Sequence, residues 1–363
     1  MTKKIVVIAA GGTGGHLFPA AAFAEEMFRR GWRVVLMTDA RGRRYAEGFP
    51  AERVEDVAAA SLSMNPFTAI PAMLKISRGI NEAKRRFDEL QPALVAGFGG
   101  YPSFPALMAA RAKHVPIIIH EQNSVLGRVN RAMATSAAIV ACGFERLDRL
   151  PPKAADRKRV VGNPVRLPIL AVRERPYPEA PAGGRFNLLI IGGSQGARLF
   201  GEVIPAAIAM LPQALRARLD VVHQVREEQV AQAKKVYQTA QVNAEVSPFF
   251  SDMGQRLGAA HLVISRAGAS SVTELQVAGR PAIVVPFAAA ADDHQTANAE
   301  GLTAVGAADL FTEDEFEPAV LAATLERRLA DPHGLAVRAA AARAAAKPDA
   351  AKTLADLAES AAA

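Results

Sequence analysis

The sequence predicts an α/β protein of two doubly wound, Rossmann-like domains facing each other across a cleft. Three observations carry this. Short apolar runs alternate with amphipathic helical stretches from end to end, the pattern of parallel sheets with helices on both faces. A strand–glycine–helix turn occurs in IVVIAAGGTGGHLFPA (5–20), and it recurs where GGSQGA (192–197) follows another apolar run. The 363 residues are half hydrophobic, enough for two cores.

In the first half, the apolar runs at 5–10, 33–38, 93–97, 116–120 and 138–141 read as buried parallel strands. In the second, 187–191, 220–224, 261–265 and 282–286 do the same. A helix is expected to begin near Pro19, because proline is tolerated in a first helical turn. Gly162-Asn163-Pro164 marks the expected boundary, giving domains over 1–163 and 164–340, and a Pro/Glu/Arg-rich stretch at 173–185 precedes the next strand. The alanine-rich tail at 335–363 is helical by propensity. Its last part, about 341–363, is expected to pack back on the first domain.

The single cysteine, Cys142, excludes an intramolecular disulfide framework and fits a reducing compartment. The start, MTKK, does not read as a signal peptide, and no apolar run approaches the roughly 20 residues that span a bilayer. A cytosolic protein is expected, or one that meets a membrane from the cytosolic side. Charge is uneven. Residues 1–163 carry 24 Lys and Arg against 14 Asp and Glu, while 164–363 carry 19 against 22. The basic half suits an anionic surface, or is simply a solvated basic face.

Each glycine turn presents bare backbone N–H groups to an anion at a helix start. None is a dinucleotide fingerprint: counting G-x-G-x-x-G from Gly12 ends on Leu17, and from Gly97 on Pro102. No loop ends in Gly-Lys-Ser/Thr, so a P-loop is absent too. A nicotinamide oxidoreductase is therefore disfavoured. Asp39 would mimic a ribose-binding acid but reads more simply as a turn aspartate. At 6% aromatic residues the chain offers few stacking platforms, and no nucleic-acid partner is expected.

GGTGGHLFPA (11–20), GFGGYPSFP (97–105), HEQN (120–123), GNPVR (162–166), GGSQGA (192–197), SRAGASSVTE (265–274) and DDHQTANA (292–299) occur in this order. Together, over about residues 3–305, they resemble the motifs of the MurG family of glycosyltransferases. The resemblance implies the GT-B fold. It implies an inverting transfer of N-acetylglucosamine from UDP-N-acetylglucosamine to the C4 hydroxyl of lipid I, giving lipid II for peptidoglycan. It also implies a peripheral protein on the cytoplasmic face of the inner membrane, with other wall-synthesis and division proteins as possible partners. Same-fold alternatives are another UDP-sugar transferase and a UDP-N-acetylglucosamine epimerase.

By that resemblance the second half holds the donor. Ser194 and the amides of its turn would take the diphosphate. Ala269, Ser270, Ser271, Val272, Thr273 and Glu274 open the next helix, with Glu274 accepting from both ribose hydroxyls. Arg166 and Arg266 would complement the phosphates. Phe250 falls where the family wraps the uracil with backbone contacts. Gln295 would bind hydroxyls of the sugar, and His294 stands where some members have a second glutamine. Without the resemblance, Glu274 reads as an acid favoured by the helix dipole, and Ser194 as a small turn residue.

His16 is the general-base candidate, because a neutral imidazole with an ordinary pKa of about 6.5 accepts a hydroxyl proton near neutrality. A histidine that merely orients the loop is the alternative. Glu121 is either the rival base or the partner that orients His16, and His120 is expected to be structural. Thr13, Gly14 and Gly15 would contact the donor's sugar and leaving diphosphate, and Asn123 its acetamido group. No metal and no other cofactor is expected. There is no D-x-D motif, adjacent Asp292 and Asp293 diverge, and amides with arginines would stabilise the leaving group.

Within 65–90, Ile70, Met73, Leu74, Ile80 and Phe87 recur at helical spacing beside Lys75, Arg78, Lys84, Arg85 and Arg86. A basic amphipathic helix of this kind lies on an anionic leaflet, or buries one stripe on its own sheet.

Overall fold

A computed structural model of the protein describes residues 3–11, 14–43, 46–61, 66–178, 183–193 and 196–363. The chain forms two units. One is Met1–Arg166 together with Lys347–Ala363, the other Leu167–Ala346.

In the first unit seven parallel strands lie in the order β3-β2-β1-β4-β5-β6-β7. They are β1 (Ile5–Ala9), β2 (Arg33–Thr38), β3 (Arg53–Asp56), β4 (Leu94–Gly97), β5 (Ile117–Glu121), β6 (Ile139–Cys142) and β7 (Lys158–Val160). Alternate residues enter opposite cores: Ile5, Val7 and Ala9 one, Val6 and Ile8 the other. Burial on both faces is why the interior strands of this sheet read as unbroken apolar runs. In the second unit β8 (Phe186–Ile191), β9 (Leu219–Gln224), β10 (Asn243–Ser247), β11 (Leu262–Ser265), β12 (Ala282–Val284) and β13 (Ala308–Leu310) are also parallel. Their order is β10-β9-β8-β11-β12-β13. Strand order reverses between β1 and β4 and between β8 and β11. Ligands of open α/β sheets bind beyond the carboxyl ends of the strands at such a switch.

The nine runs read from the sequence are the interior strands of both sheets. The four that escaped, β3, β7, β10 and β13, are the four sheet edges. All four are partly exposed, so their residues need not form an apolar run.

The first helix, Gly14–Arg29, begins five residues before the expected start at Pro19, which lies in its second turn. Proline lacks only the N–H that would reach the Gly15 carbonyl, a loss the helix accepts near its amino end. His16 therefore sits in the first helical turn rather than in the loop before it.

The tail is two helices, Pro332–Ala344 and Ala350–Ala361. The second lays Leu354, Ala355 and Ala358 into a core of the first unit. Arg30 fastens it by pairing with Asp356 and Glu359, and is itself held by Glu26 of the first helix. Hydrogen bonds from Arg29 and Arg30 hold the Glu26 carboxyl down to about 2.

The helix Pro66–Leu90 corrects the single stripe expected of it. Phe87 is buried with Ala72, Ile76 and Ala83 on the inward face, where Gly79 passes the Ala58 carbonyl too closely for any side chain. Ile70, Met73 and Leu74 point away, 64%, 61% and 68% exposed. Among the described residues no helix is long and apolar enough to cross a membrane.

Candidate functional site

In the first unit the motif residues gather at the carboxyl ends of β1, β4 and β5, three consecutive strands. The loop after β4 folds onto the loop after β1. A Cβ on Gly100 would meet the Gly11 carbonyl oxygen at 2.5 Å, and one on Gly11 would meet Pro102 at 2.8 Å. Gly99 and Gly100 have φ of 85° and 73°, and both lie against the His16 ring, within 3.5 Å of where their Cβ atoms would be. Only glycine supplies both that conformation and that closeness. Asp39, at the end of β2, accepts from the Gly42 amide and from the Tyr101 hydroxyl at 2.7 Å. It is a turn aspartate, as its simpler reading had it.

His16 is half-buried, and its Nδ1 lies 2.9 Å from Gln122 Oε1. The expected orienting partner, Glu121, is not the one the fold supplies. The other end of the Gln122 amide meets His120 Nδ1 at 3.1 Å, and His120 Nε2 donates to the Gly162 carbonyl at 2.9 Å. His120 is 1% exposed, and burial pushes it down to about 4, so it is neutral near pH 7.

Glu121 is a loop organiser. Its carboxylate accepts from the Asn123 amide, Asn123 Nδ2, the Gly127 amide and Asn130 Nδ2, at 2.9–3.2 Å. Four donors on two buried oxygens leave little capacity to take a substrate proton. Asn123 is half-buried and already engaged by Glu121. Asn163, from GNPVR, donates to the Gln122 carbonyl at 3.0 Å and fills the space beside Gly143 that a side chain would need. Gln122, Asn130 and Asn163 are site residues that the sequence reading did not single out. Gln122 and Asn163 carry the signal of lying in HEQN and GNPVR, whereas Asn130 lies in none of the motifs. Gly14 starts the first helix under the Phe18 ring, and Gly15 is exposed. Arg166 stacks over that ring at 4.4 Å. Thr13 and Ser194 lie outside the described residues.

In the second unit the corresponding place is the carboxyl ends of the neighbouring strands β8 and β11. Gly193 and Gly196 turn the chain with φ of 80° and 67°, and the helix Arg198–Met210 follows. The helix Ala269–Ala278, which follows β11, starts after Gly268. Among the described residues neither helix has a side-chain cap, so two sets of amide donors open towards the same strand ends. Ser270 Oγ is buried with no partner among the described residues. Ser271 and Glu274 are half-buried, while Ala269, Val272 and Thr273 turn into the protein. The Asn298 amide ties the helix His294–Thr303 to the Ala267 carbonyl. Gln295 Oε1 accepts from the Phe287 amide at 3.0 Å, which leaves its Nε2 to donate elsewhere. His294 is held locally by the Ala291 carbonyl. The Phe250 ring is buried beneath the Arg256 guanidinium at 4.1 Å.

The expectation for Arg266 is corrected. Its guanidinium pairs with Glu313, donates to the Val285 and Pro286 carbonyls and stacks on Phe200 and Phe287. It is a buried brace and not a free phosphate ligand. Arg226, just after β9, went unnoticed in the sequence. Its stem lies against Gly196, where a Cβ would come 3.0 Å from Arg226 Cγ, and its Nε is unbonded among the described residues. Nothing in the sequence around it marks a ligand.

The profile of the glycosyltransferase family 28 N-terminal domain matches residues 6–142, and that of the family 28 C-terminal domain matches 187–354. The chain is 52% identical over 356 residues to a protein of Maricaulis maris, covering 98% of this chain and 97% of that one. It is 51% identical over 360 residues to one of Caulobacter vibrioides, covering 98% and 99%. Both are named UDP-N-acetylglucosamine–N-acetylmuramyl-(pentapeptide) pyrophosphoryl-undecaprenol N-acetylglucosamine transferase. Among solved structures, MurG of Acinetobacter baumannii is similar with a TM-score of 0.79 at 33% identity, over 98% of this chain and 99% of that one. A UDP-N-acetylglucosamine 2-epimerase of Neisseria meningitidis is similar in fold, with a TM-score of 0.66 at 15% identity over 98% and 99%.

Proposed function

The chain belongs to glycosyltransferase family 28, and from that membership we infer that it transfers N-acetylglucosamine from UDP-N-acetylglucosamine to lipid I, giving lipid II for peptidoglycan. Likeness over nearly its whole length to transferases of that one activity carries the inference. The rival epimerases share the fold at far lower identity.

The second unit is the donor side in this reading. Amides at the starts of Arg198–Met210 and Ala269–Ala278, with Ser194 and Ser270, take the diphosphate and stabilise the charge it gains on leaving. Glu274 accepts from the ribose hydroxyls, the backbone near Phe250 holds the uracil, and Gln295 Nε2 donates to the sugar. In the first unit, His16 Nε2 takes the proton of the C4 hydroxyl. The freed oxygen bonds to the anomeric carbon on the face opposite the diphosphate. The bond from that carbon to the phosphate oxygen breaks, its electron pair leaves on UDP, and the configuration inverts.

The protein then works as a peripheral protein on the cytoplasmic membrane face, where lipid I is held. Exposed Ile70, Met73 and Leu74, beside Lys75, Arg78 and Arg85, support this site of contact.

Purified protein with radiolabelled UDP-N-acetylglucosamine and lipid I tests the function. Label passing into the lipid fraction with one UDP released per transfer is the expected result. Epimerised sugar nucleotide without labelled lipid would contradict it.

A further inference from the structure

We propose that His120 and Gln122 are positioning residues that fix the tautomer of His16. They hold its proton on Nδ1, so that Nε2 is the bare nitrogen of the resting ring. The assignment rests on the reading of His16 as the base, and it says how that base is kept ready.

The chain of bonds has one consistent direction. The Gly162 carbonyl can only accept, so His120 Nε2, 2.9 Å away, carries a hydrogen. A neutral His120 then has a lone pair on Nδ1. Burial keeps it neutral, and the Phe98 ring lies 5.4 Å from its own. The Gln122 amide end facing His120 meets two acceptors, that Nδ1 and the His120 carbonyl oxygen, each at 3.1 Å. That end is the NH2 group, and Oε1 points the other way, at His16. An oxygen acceptor at 2.9 Å requires a hydrogen on His16 Nδ1. Which ring nitrogen is protonated is set by the bond the other makes.

Gln122 has no freedom to reverse this. It is 2% exposed, and Asn163 Nδ2 pins its backbone carbonyl. Rotating the amide would face its oxygen to two acceptors and its NH2 to His16. Among the described residues no charged side chain is bonded to His16, Gln122 or His120. The nearest carboxylate in sequence, Glu121, is directed at Asn123, Gly127 and Asn130. Asp39, at the end of the adjoining β2, is taken by Tyr101 and Gly42.

An amide in this place differs from a carboxylate. It gives direction to the imidazole without a negative charge that would keep the resting ring protonated. Once His16 takes a proton at Nε2, the Nδ1–H bond to Oε1 becomes charge-assisted and strengthens. The device therefore favours the state in which the proton has moved.

Two readouts test this in the full-length protein. In the first, histidine is labelled with ¹⁵N, and the His16 signals are identified by their loss in His16→Ala. A resting Nδ1–H, Nε2-bare tautomer is expected, and a resting Nε2–H tautomer overturns the proposal. The second is the pH dependence of kcat/KM. Gln122→Glu accepts from His16 Nδ1 with a charge, and it moves the acidic limb upward by about 1 unit or more with donor KM unchanged. An unmoved limb in a folded Gln122→Glu protein contradicts the relay. The reading beneath is tested apart from these, since an unchanged kcat in His16→Ala removes the base role whatever the tautomer is.

Discussion

Arg266 and Glu313 close on each other inside the second unit, a guanidinium nitrogen 2.5 Å from the carboxylate with both side chains mostly buried. A motif arginine at the end of a central strand is thus committed to the protein before any donor arrives. Arg226 lies beside the glycine turn of β8, its stem against Gly196 and its guanidinium 3.9 Å from the Glu228 carboxylate. Arg226→Ala should raise the KM for the sugar nucleotide about tenfold and leave Tm unchanged, as losing one hydrogen bond to a charged group does. Glu313→Gln should do the reverse, costing about 2 kcal/mol of stability with little change in KM. Thermal melts and donor titrations on the two variants separate the roles. A large KM effect in Glu313→Gln with no loss of Tm would return Arg266 to the donor site.

Glu121 is saturated by four donors, so its loss should act through the loop from 121 to 130. Glu121→Gln turns two of those accepted bonds into clashes of donor with donor. A lower Tm and a lower kcat are expected, while the apparent pKa values of the kcat/KM profile stay where they were. A lost basic or acidic limb in this variant would show that Glu121 itself moves the proton.

Two buried neutral histidines make stability depend on pH. Burial pushes His120 down to about 4 and His223 down to about 3, against an unfolded value of about 6.5. Between these values the unfolded chain binds protons that the folded one refuses, so stability rises with pH across that window. It is fully present above about 6.5 and is lost on acidification, by up to about 1.4 kcal/mol per pH unit for each histidine. Tm should fall from pH 7 to pH 5. His223→Gln, which keeps a partner for the Tyr237 hydroxyl, should flatten that fall by up to one proton. Parallel curves for the two proteins would show that His223 is not part of the acid response.

Met73→Glu together with Leu74→Glu places two charges on the exposed face of Pro66–Leu90, away from the core side of that helix. Co-sedimentation with vesicles rich in anionic lipid should drop severalfold while Tm holds. Binding equal to that of the unaltered protein would move the membrane contact elsewhere.

What the sequence made legible follows from where burial is complete. Interior strands such as β1 and β8 were visible because both faces are packed, whereas β3, β7, β10 and β13 carry the partial exposure of sheet edges. Gly14 and Gly15 read as loop because glycine opens turns more often than helices. The apolar spacing of Met73 and Phe87 looked like one stripe because periodicity cannot say which face meets the core. The motifs put His16, Glu121 and Gln122 on the page, but the bond from His16 to Gln122 spans 106 positions, and no local pattern encodes it. The burial of Arg266 likewise depends on Glu313, far along the chain.

The donor's place is the claim on which the rest depends, and a crystal structure of the full chain with UDP measures it directly. The diphosphate is expected against the starts of Arg198–Met210 and Ala269–Ala278, with the ribose hydroxyls on the Glu274 carboxylate. UDP held by the first unit, or held in the second away from the ends of β8 and β11, would contradict it.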